Sequence, residues 1–200
     1  MRPSGPSHGL TRSGIGLETS DEQLVAAWRQ AGDRGALDEL AVRHLTTVRR
    51  MIHSMILNDA AADDLAQDVL LRAFRSLDDF QGRSKFTTWL YRIAMNTVHD
   101  ALDRRRRSPI DDRAELPRDA AVRDAGVGAE VERDEFDGAV GRALQALPPK
   151  LRAAIVLVAI EELDPAAAAR IEGCTRATIY WRLHEARKRL AHALREQVKP

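Results

Sequence analysis

Two hundred residues with 31 basic and 30 acidic side chains and 44% hydrophobic content allow one medium domain or two small ones, and a net charge of +1 points to no partner by itself. A single cysteine, Cys174, excludes an internal disulfide and suits a reducing compartment. The longest apolar run, Ala153 to Ile160, is far shorter than the roughly 20 residues of a membrane span.

Residues 1–19 have turn-forming composition and little to bury, which reads as a disordered tail. Arg2 and Arg12 bracket it without an apolar centre, so it is no standard secretory signal, and a soluble, cytoplasmic protein is expected. Ser20 opens a helix, with Gln23 placed to close a capping box and Leu24, Val25 and Trp28 on its apolar side. After the Gly32–Gly35 break, Leu37, Leu40, Ala41, Leu45, Val48, Ile52 and Ile56 recur at helical spacing, and Asn58 and Asp59 end this second helix. From Asp63 to Arg107 two further helices follow, joined by a polar turn at Gln81–Lys85. The third helix has a seam through Ala66, Leu70, Ala73 and Leu77. In the fourth, Trp89, Arg92, Asn96, His99 and Asp103 share one face, while Leu90, Ile93, Ala94, Thr97 and Ala101 face inward. These four helices form an N-terminal domain over 20–107.

Periodicity then disappears from Ser108 to Glu135, where acidic residues outnumber basic ones and Pro109, Pro117, Gly126 and Gly128 interrupt any helix, the pattern of a flexible linker. Helical order returns near Phe136, with Val140, Leu144 and Leu147 in one stripe before Pro148–Pro149. Leu151, Ile155 and Val158 continue in another helix. Asp164 reads as an N-cap with Pro165 at the first helical position, and Gly173 stops that short helix. Thr175 caps a final helix to about residue 195. A short helix, a glycine turn and a longer helix make a helix-turn-helix, within a C-terminal domain over 136–197. Few long β-branched runs and an abundance of Ala, Leu, Arg and Glu agree with an all-α fold of two small helical domains.

An indole, a guanidinium and an amide on one face of the fourth helix suit splayed bases and phosphates, through stacking and hydrogen bonding. On the final helix Ile179, Leu183, Ala186 and Leu190 make the buried seam, which leaves Ala177, Thr178, Trp181, His184, Glu185 and Lys188 outward. An idle indole on a polar face is expensive, and the exposed N-terminal half of such a helix enters the major groove. Asp63 and Asp64 could serve only the helix dipole. Arg104–Arg107 either ends a helix in solvent or, following a base-reading face, grips phosphates. The six histidines show no metal-ligand spacing, and there is no phosphate loop or nucleophile elbow. No catalytic residue, cofactor or metal is expected.

Two paired segments carry a resemblance. One joins DDLAQDVLLRAF, from Asp63 to Phe74, to F-x-G-x-S-x-F-x-T-W-L-Y-R-I-A-x-N, from Phe80 to Asn96. The other holds L-P-x-K-x-R at Leu147–Arg152, G-C-T-x-A-T-I at Gly173–Ile179 and A-R-K-R-L at Ala186–Leu190. Together they resemble a bacterial sigma factor of the extracytoplasmic-function type, in the sigma-70 family. The resemblance implies a dissociable, non-enzymatic initiation subunit that takes core RNA polymerase to −10 and −35 promoter elements and helps to melt the promoter. Its implied partners are promoter DNA, the β′ clamp helices and β subunit of core polymerase, and an anti-sigma factor of the kind many relatives have; no membrane insertion is implied. By family position, Asp64, Gln67 and Asp68 dock on the clamp helices. Arg83, Ser84, Lys85, Phe86, Trp89, Arg92 and Asn96 serve the −10 strand, with Trp89 one member of the family's wedging pair and Leu90 in place of the other. Arg176, Thr178, Tyr180, Trp181, His184, Glu185 and Lys188 serve the −35 duplex. Ala177 for a usual glycine, Glu185 for a common arginine and Ala168 for a larger aliphatic residue depart from the pattern. A stand-alone duplex-binding repressor or activator is the rival reading, though it needs no Trp89–Asn96 surface; an enzyme built on Asp63, Asp64 and a histidine has nothing to arrange those groups around a pocket.

Overall fold

The computed structural model describes residues 19–107 and 129–197, with side chains over 19–107 and 138–195. Most of the expected tail, and residues 108–128 of the expected linker, lie outside the described residues. All regular structure among the described residues is helical, and no helix there is long and apolar enough to cross a membrane.

Helix α1 (Asp21–Ala31) starts at the expected box: the Ser20 hydroxyl accepts from the Gln23 N–H while the Gln23 side chain accepts from the Ser20 N–H. Gly32, at φ 63°, ends it. Helix α2 (Arg34–Ile56) stops at Leu57, which takes the left-handed conformation at φ 53°. Asn58 is therefore a start signal and not the expected stop, because its side chain caps α3 (Asp59–Arg75) by accepting from the Ala61 N–H at 2.8 Å. A 3-10 turn at Leu77–Asp79 leads through the loop to α4 (Phe86–Arg107).

The α2 seam runs through Leu40, His44, Val48, Met51, Ile52 and Met55, all buried. It packs on alanines 62, 66 and 73 of α3, whose small side chains let the two helices approach closely, and Leu90, Ala94 and Val98 of α4 complete the layer. Each fully buried Leu or Ile contributes about 1.5–3 kcal/mol. Leu45, expected inside, is exposed. His44 takes the inward position one residue earlier, its ring Nε2 lying 2.8 Å from Asp21 Oδ2.

Helix α5 (Ala129–Ala146) begins inside the segment expected to be linker, so helical order returns earlier than Phe136. After Pro148 come α6 (Pro149–Ile155), which runs on into a π-helical turn (Val156–Ile160), then α7 (Pro165–Ile171) and α8 (Arg176–Gln197). Leu144, Leu147, Leu151, Ile155, Leu157, Ile171, Ile179, Leu183 and Ala186 fill this second core. The two cores are continuous, for the buried apolar residues of both halves form one cluster. Helix α7 lies on α4, and the π-turn lies on α2. Buried Arg152 joins them, donating to the carbonyl of Met55 in α2 and to those of Gln145, at 2.5 Å, and Leu147, at 3.1 Å. Burial, and then the nearby charge of Arg106, lower its pKa.

Candidate nucleic-acid and polymerase interfaces

The connection between α3 and α4 is shaped by α1. The Arg29 guanidinium donates to the carbonyls of Leu77, Asp78 and Phe80 at 2.6, 2.7 and 2.5 Å. At the far end of the loop, Glu22 Oε1 accepts the Phe86 N–H at 3.2 Å and so serves the open N-terminus of α4 from another helix. Hydrogen bonds from its own N–H and then from that of Phe86 hold the Glu22 carboxyl below its ordinary pKa. Gly82, at φ 68°, supplies the bend between these two clamps. Neither Arg29 nor Glu22 belongs to a local motif, so spacing along the chain gave no sign of them.

Within this frame Arg83, Lys85, Arg92 and Asn96 are exposed, and Ser84 is half-buried. Phe86, expected among the DNA-facing residues, is a core residue at 1% exposure. Its ring lies 5.3 Å from His44, 5.7 Å from Phe80 and 5.7 Å from Trp89, centroid to centroid. The reason is its place as the first residue of α4, where an apolar ring closes the bottom of the bundle. Trp89 is only half-buried, packed against Phe80 and Phe86, and Leu90 is fully buried. The indole therefore presents one part to solvent from an aromatic base.

On α3, Asp64 and Gln67 are exposed and Asp68 is half-buried, tied to Arg72 at 2.8 Å. Asp63 instead turns to α2, where it pairs with Arg49, which also holds Asp59 at 2.8 Å. That hydrogen bond from Arg49 keeps the Asp63 carboxyl below its usual range. Next to these polar groups stand large apolar side chains with nothing over them: Leu71 on α3 is 54% exposed, and Val42 and Leu45 on the adjoining α2 are 75% and 41% exposed. Large apolar side chains left exposed beside charged groups are a feature of protein-binding faces.

The helix-turn-helix is locally determined. Asp164 caps α7 through the Ala166 N–H at 2.7 Å, Gly173 turns at φ 61°, and the Thr175 hydroxyl accepts the Thr178 N–H at 3.1 Å. On α8, Ile179, Leu183 and Ala186 are buried, as their spacing requires. Tyr180 and Trp181 are 52% and 62% exposed, and Arg176, Ala177, His184 and Lys188 are exposed too. The Tyr180 hydroxyl, by hydrogen bonding, raises the pKa of Arg176. Thr178 and Glu185 are half-buried; Glu185 pairs with Arg189 at 2.7 Å, which holds its carboxyl below the usual range.

One face does two things. His99, on the same side of α4 as Asn96, meets the C-terminal domain: its Nε2 lies 3.0 Å from Glu172 Oε1, and Arg182 of α8 donates to Glu172 Oε2 at 2.9 Å. Asn96, His99, Asp103, Lys150 and Glu172 line a cleft of about 300 Å³ between the domains. Arg50 of α2 reaches Glu161 at the end of the π-turn with two hydrogen bonds, at 3.2 and 2.9 Å.

Two families cover this architecture. Residues 40–108 match sigma-70 region 2, and residues 137–190 match sigma-70 region 4. The chain is 36% identical to the extracytoplasmic-function (ECF) RNA polymerase sigma factor SigM of Mycobacterium tuberculosis, over 88% of this chain and 86% of that protein. It is 33% identical to the RNA polymerase sigma-H factor of Pseudomonas aeruginosa, over 88% and 95%. Its fold resembles that of the sigma factor RpoE in a co-crystal structure with the anti-sigma factor NepR from Bartonella quintana, with a TM-score of 0.64, 27% identity and coverage of 82% and 98%. The region-2 match, which covers most of α2 with α3 and α4, the region-4 match over the helix-turn-helix and these relatives together place the chain in the sigma-70 family as an ECF sigma factor, a non-enzymatic subunit that directs RNA polymerase to promoters.

Proposed function

We propose that the two domains divide the promoter between them. The N-terminal half of α8 reads the duplex −35 element with Arg176, Thr178, Tyr180, Trp181, His184, Glu185 and Lys188. The clamped turn and outer face of α4 read the unwound −10 strand with Arg83, Ser84, Lys85, Trp89, Arg92 and Asn96, and Phe86 anchors that surface from beneath. Asp64, Gln67 and Asp68, with Leu71 among them, dock on the clamp helices of the polymerase β′ subunit, and the C-terminal domain engages the β subunit. An anti-sigma factor is a further partner, in keeping with the NepR-bound relative, and the cytoplasm is the working compartment.

The observation that carries this reading is the exposure of Tyr180 and Trp181, two large aromatics on the first turns of the second helix of a helix-turn-helix. Left in water they stabilise nothing; in a major groove they cover thymine methyls and pack on the groove wall. Transcription with core polymerase tests the division on two templates, one fully duplex and one with a mismatched bubble at −10. Trp181→Ala is expected to fail on the duplex template and to recover on the bubble. Asn96→Ala is expected to lose preference at one −10 position, worth about 1–3 kcal/mol for a good direct contact, with upstream binding intact. An equal defect of Trp181→Ala on both templates refutes the division.

A further inference from the structure

We infer that the cleft between the C-terminal end of α4 and the junction of α5 with α6 is a binding site for a small polyphosphate, free or carried on a nucleoside, held by the guanidiniums of Arg105, Arg106 and Arg152. The site lies outside both promoter-reading surfaces and does not depend on their assignment.

At the bottom of this cleft is a buried charge with no counter-charge. Arg152 is only 6% exposed. Its Nη1 donates to the Met55 carbonyl and its Nη2 to those of Gln145 and Leu147, all neutral acceptors, while its buried Nε–H has no partner. Withdrawing a guanidinium from water is costly unless an opposite charge lies near. Among the described residues no carboxylate forms an ion pair with Arg152, Arg105 or Arg106. The influences on Arg152 run the other way: burial first, and then the like charge of Arg106, disfavour its charged form. An anion in the cleft supplies what the chain leaves out.

The cleft is also shaped for a ligand. Its volume is about 580 Å³, inside the range of small-molecule sites, roughly 300–1,000 Å³. Arg105 and Arg106 line it from α4 and Arg152 from α6, and no acidic residue is among the described residues that line it. Asp103 and Glu172 border the adjoining cleft instead, where Glu172 is already held by His99 and Arg182. Planar guanidiniums match phosphate oxygens with paired hydrogen bonds. One phosphate carries about −1.5 to −2 at neutral pH, so a cluster of guanidiniums is better matched by a di- or triphosphate. Ile56, Leu102, Leu147 and Pro148 supply an apolar wall on which a nucleoside can lie. A duplex backbone fits less well, because its phosphates are fixed on a rigid rod and the Arg152 side chain is recessed, whereas a free anion is small enough to approach it.

Titration calorimetry on the full chain, without polymerase or DNA and at matched ionic strength, tests the site with inorganic tripolyphosphate, ATP and sulfate. Tripolyphosphate is expected to bind at one site per chain and to raise the thermal midpoint. ATP binding more tightly than tripolyphosphate assigns the apolar wall to a nucleoside, and the reverse order assigns the site to the free polyphosphate. Arg105→Gln with Arg106→Gln is expected to weaken binding by about tenfold or more, as for lost charge-assisted hydrogen bonds. Arg104→Gln with Arg107→Gln removes the same charge from the same helix end but outside the cleft, and is expected to change the affinity by no more than about twofold, as for screened surface charges. Equal weakening by the two pairs overturns the site, since it shows only attraction to a basic helix end. Arg152→Met is expected to abolish the ligand-dependent rise in midpoint; if that variant loses helicity by circular dichroism, the two surface pairs decide. Sulfate binding as tightly as tripolyphosphate overturns the polyphosphate class. A short duplex DNA that displaces tripolyphosphate with the same dependence on Arg105 and Arg106 makes this a backbone contact and overturns the proposal. So does a parent that binds nothing, including one that binds only after Asp111→Asn with Asp112→Asn, because the chain's own acids then fill the cleft.

Discussion

The two DNA-reading surfaces are built in opposite ways. The α8 surface is local: a threonine cap, a glycine turn and one amphipathic helix deliver Tyr180 and Trp181 to solvent. The turn before α4 is assembled from distant parts, with Arg29 and Glu22 of α1 fixing its two ends and the rings of Phe80, Phe86 and Trp89 packed together in edge-on and tilted contacts. A surface of the first kind is separable from the stability of its domain. In the second kind, reading and folding share the same side chains. The difference suits the tasks, because a duplex groove is a preformed target, whereas a single strand is flexible and has to be held by a rigid frame.

The largest expected effect breaks this comparison at Phe86. Truncating a fully buried aromatic costs about 3–5 kcal/mol, and Phe86 supports His44, Phe80 and Trp89 at once. Phe86→Ala is therefore expected to lower the free energy of unfolding by that amount, read from the shift of the denaturation midpoint, and to abolish −10 recognition with it. A variant that unfolds like the parent while losing only −10 recognition would return Phe86 to the surface.

Much of the local structure was legible in the sequence. The Ser20–Gln23 box, the Asp164–Pro165 start and the seams of α3 and α8 depend on neighbours three or four residues away, and hydrophobic periodicity records them directly. Leu45 and Asn58 misled for a related reason: periodicity cannot tell a seam through His44 from one through Leu45, and an asparagine between two helices serves either end. What spacing could not show were the ties across long separations. Arg29 to the Phe80 carbonyl, Glu22 to the Phe86 N–H, Arg50 to Glu161 and His99 to Glu172 each use a polar side chain that, as a letter in a string, looks like an ordinary solvated group. Phe86 looked like a DNA-facing residue because the family motif contains it, and the motif does not separate the residues that touch the strand from those that support them.

A second expected effect uses pH to sharpen the contrast on the assembled side. Burial, reinforced by the charge of Glu161, pushes the Tyr91 phenol from 10.0 up to about 12. The folded chain holds this proton more tightly than the unfolded one, so the associated stability is fully present below pH 10 and is lost as pH rises toward 12. The difference corresponds to roughly 2–3 kcal/mol. Denaturant unfolding between about pH 9 and pH 11 is expected to show a steeper loss for the parent than for Tyr91→Phe. Because the chain has two tyrosines, Tyr180→Phe leaves a phenolate absorbance that reports Tyr91 alone. Parallel slopes for the parent and Tyr91→Phe would mean that the phenol is accessible to water.

A smaller effect is expected at Arg29. Its three carbonyl partners lie at the surface or only partly buried, and water can replace the guanidinium there, so Arg29→Ala is expected to cost about 1 kcal/mol of stability. The functional loss is expected to be larger than the loss in folding, since the turn keeps its residues but not its shape. Transcription from the bubble template should fall with upstream binding unchanged, and because all three carbonyls converge on the single Nη2 nitrogen, Arg29→Lys, whose ammonium carries three donors, should restore part of it. Normal use of the bubble template by Arg29→Ala would show that the turn holds its shape without α1.

The smallest effect on folding is expected where the surface is local. Trp181 is 62% exposed, lies on the face of α8 opposite its seam and has no aromatic neighbour among the described ring contacts. Surface substitutions of this kind usually change stability by no more than about 0.5 kcal/mol, so Trp181→Ala is expected to unfold at the parent's denaturant midpoint. The same change removes the largest apolar group offered to the groove. Binding to the upstream element is therefore expected to weaken by about 1–3 kcal/mol, the range for one lost direct contact. The ratio of the two losses is the quantity that matters. For Phe86 both are large, for Arg29 binding exceeds folding, and for Trp181 binding is expected to be lost with almost no change in folding. If Trp181→Ala destabilises the domain by as much as it weakens upstream binding, its indole is part of the C-terminal core, and the contrast between a local and an assembled reading surface fails at its simplest point.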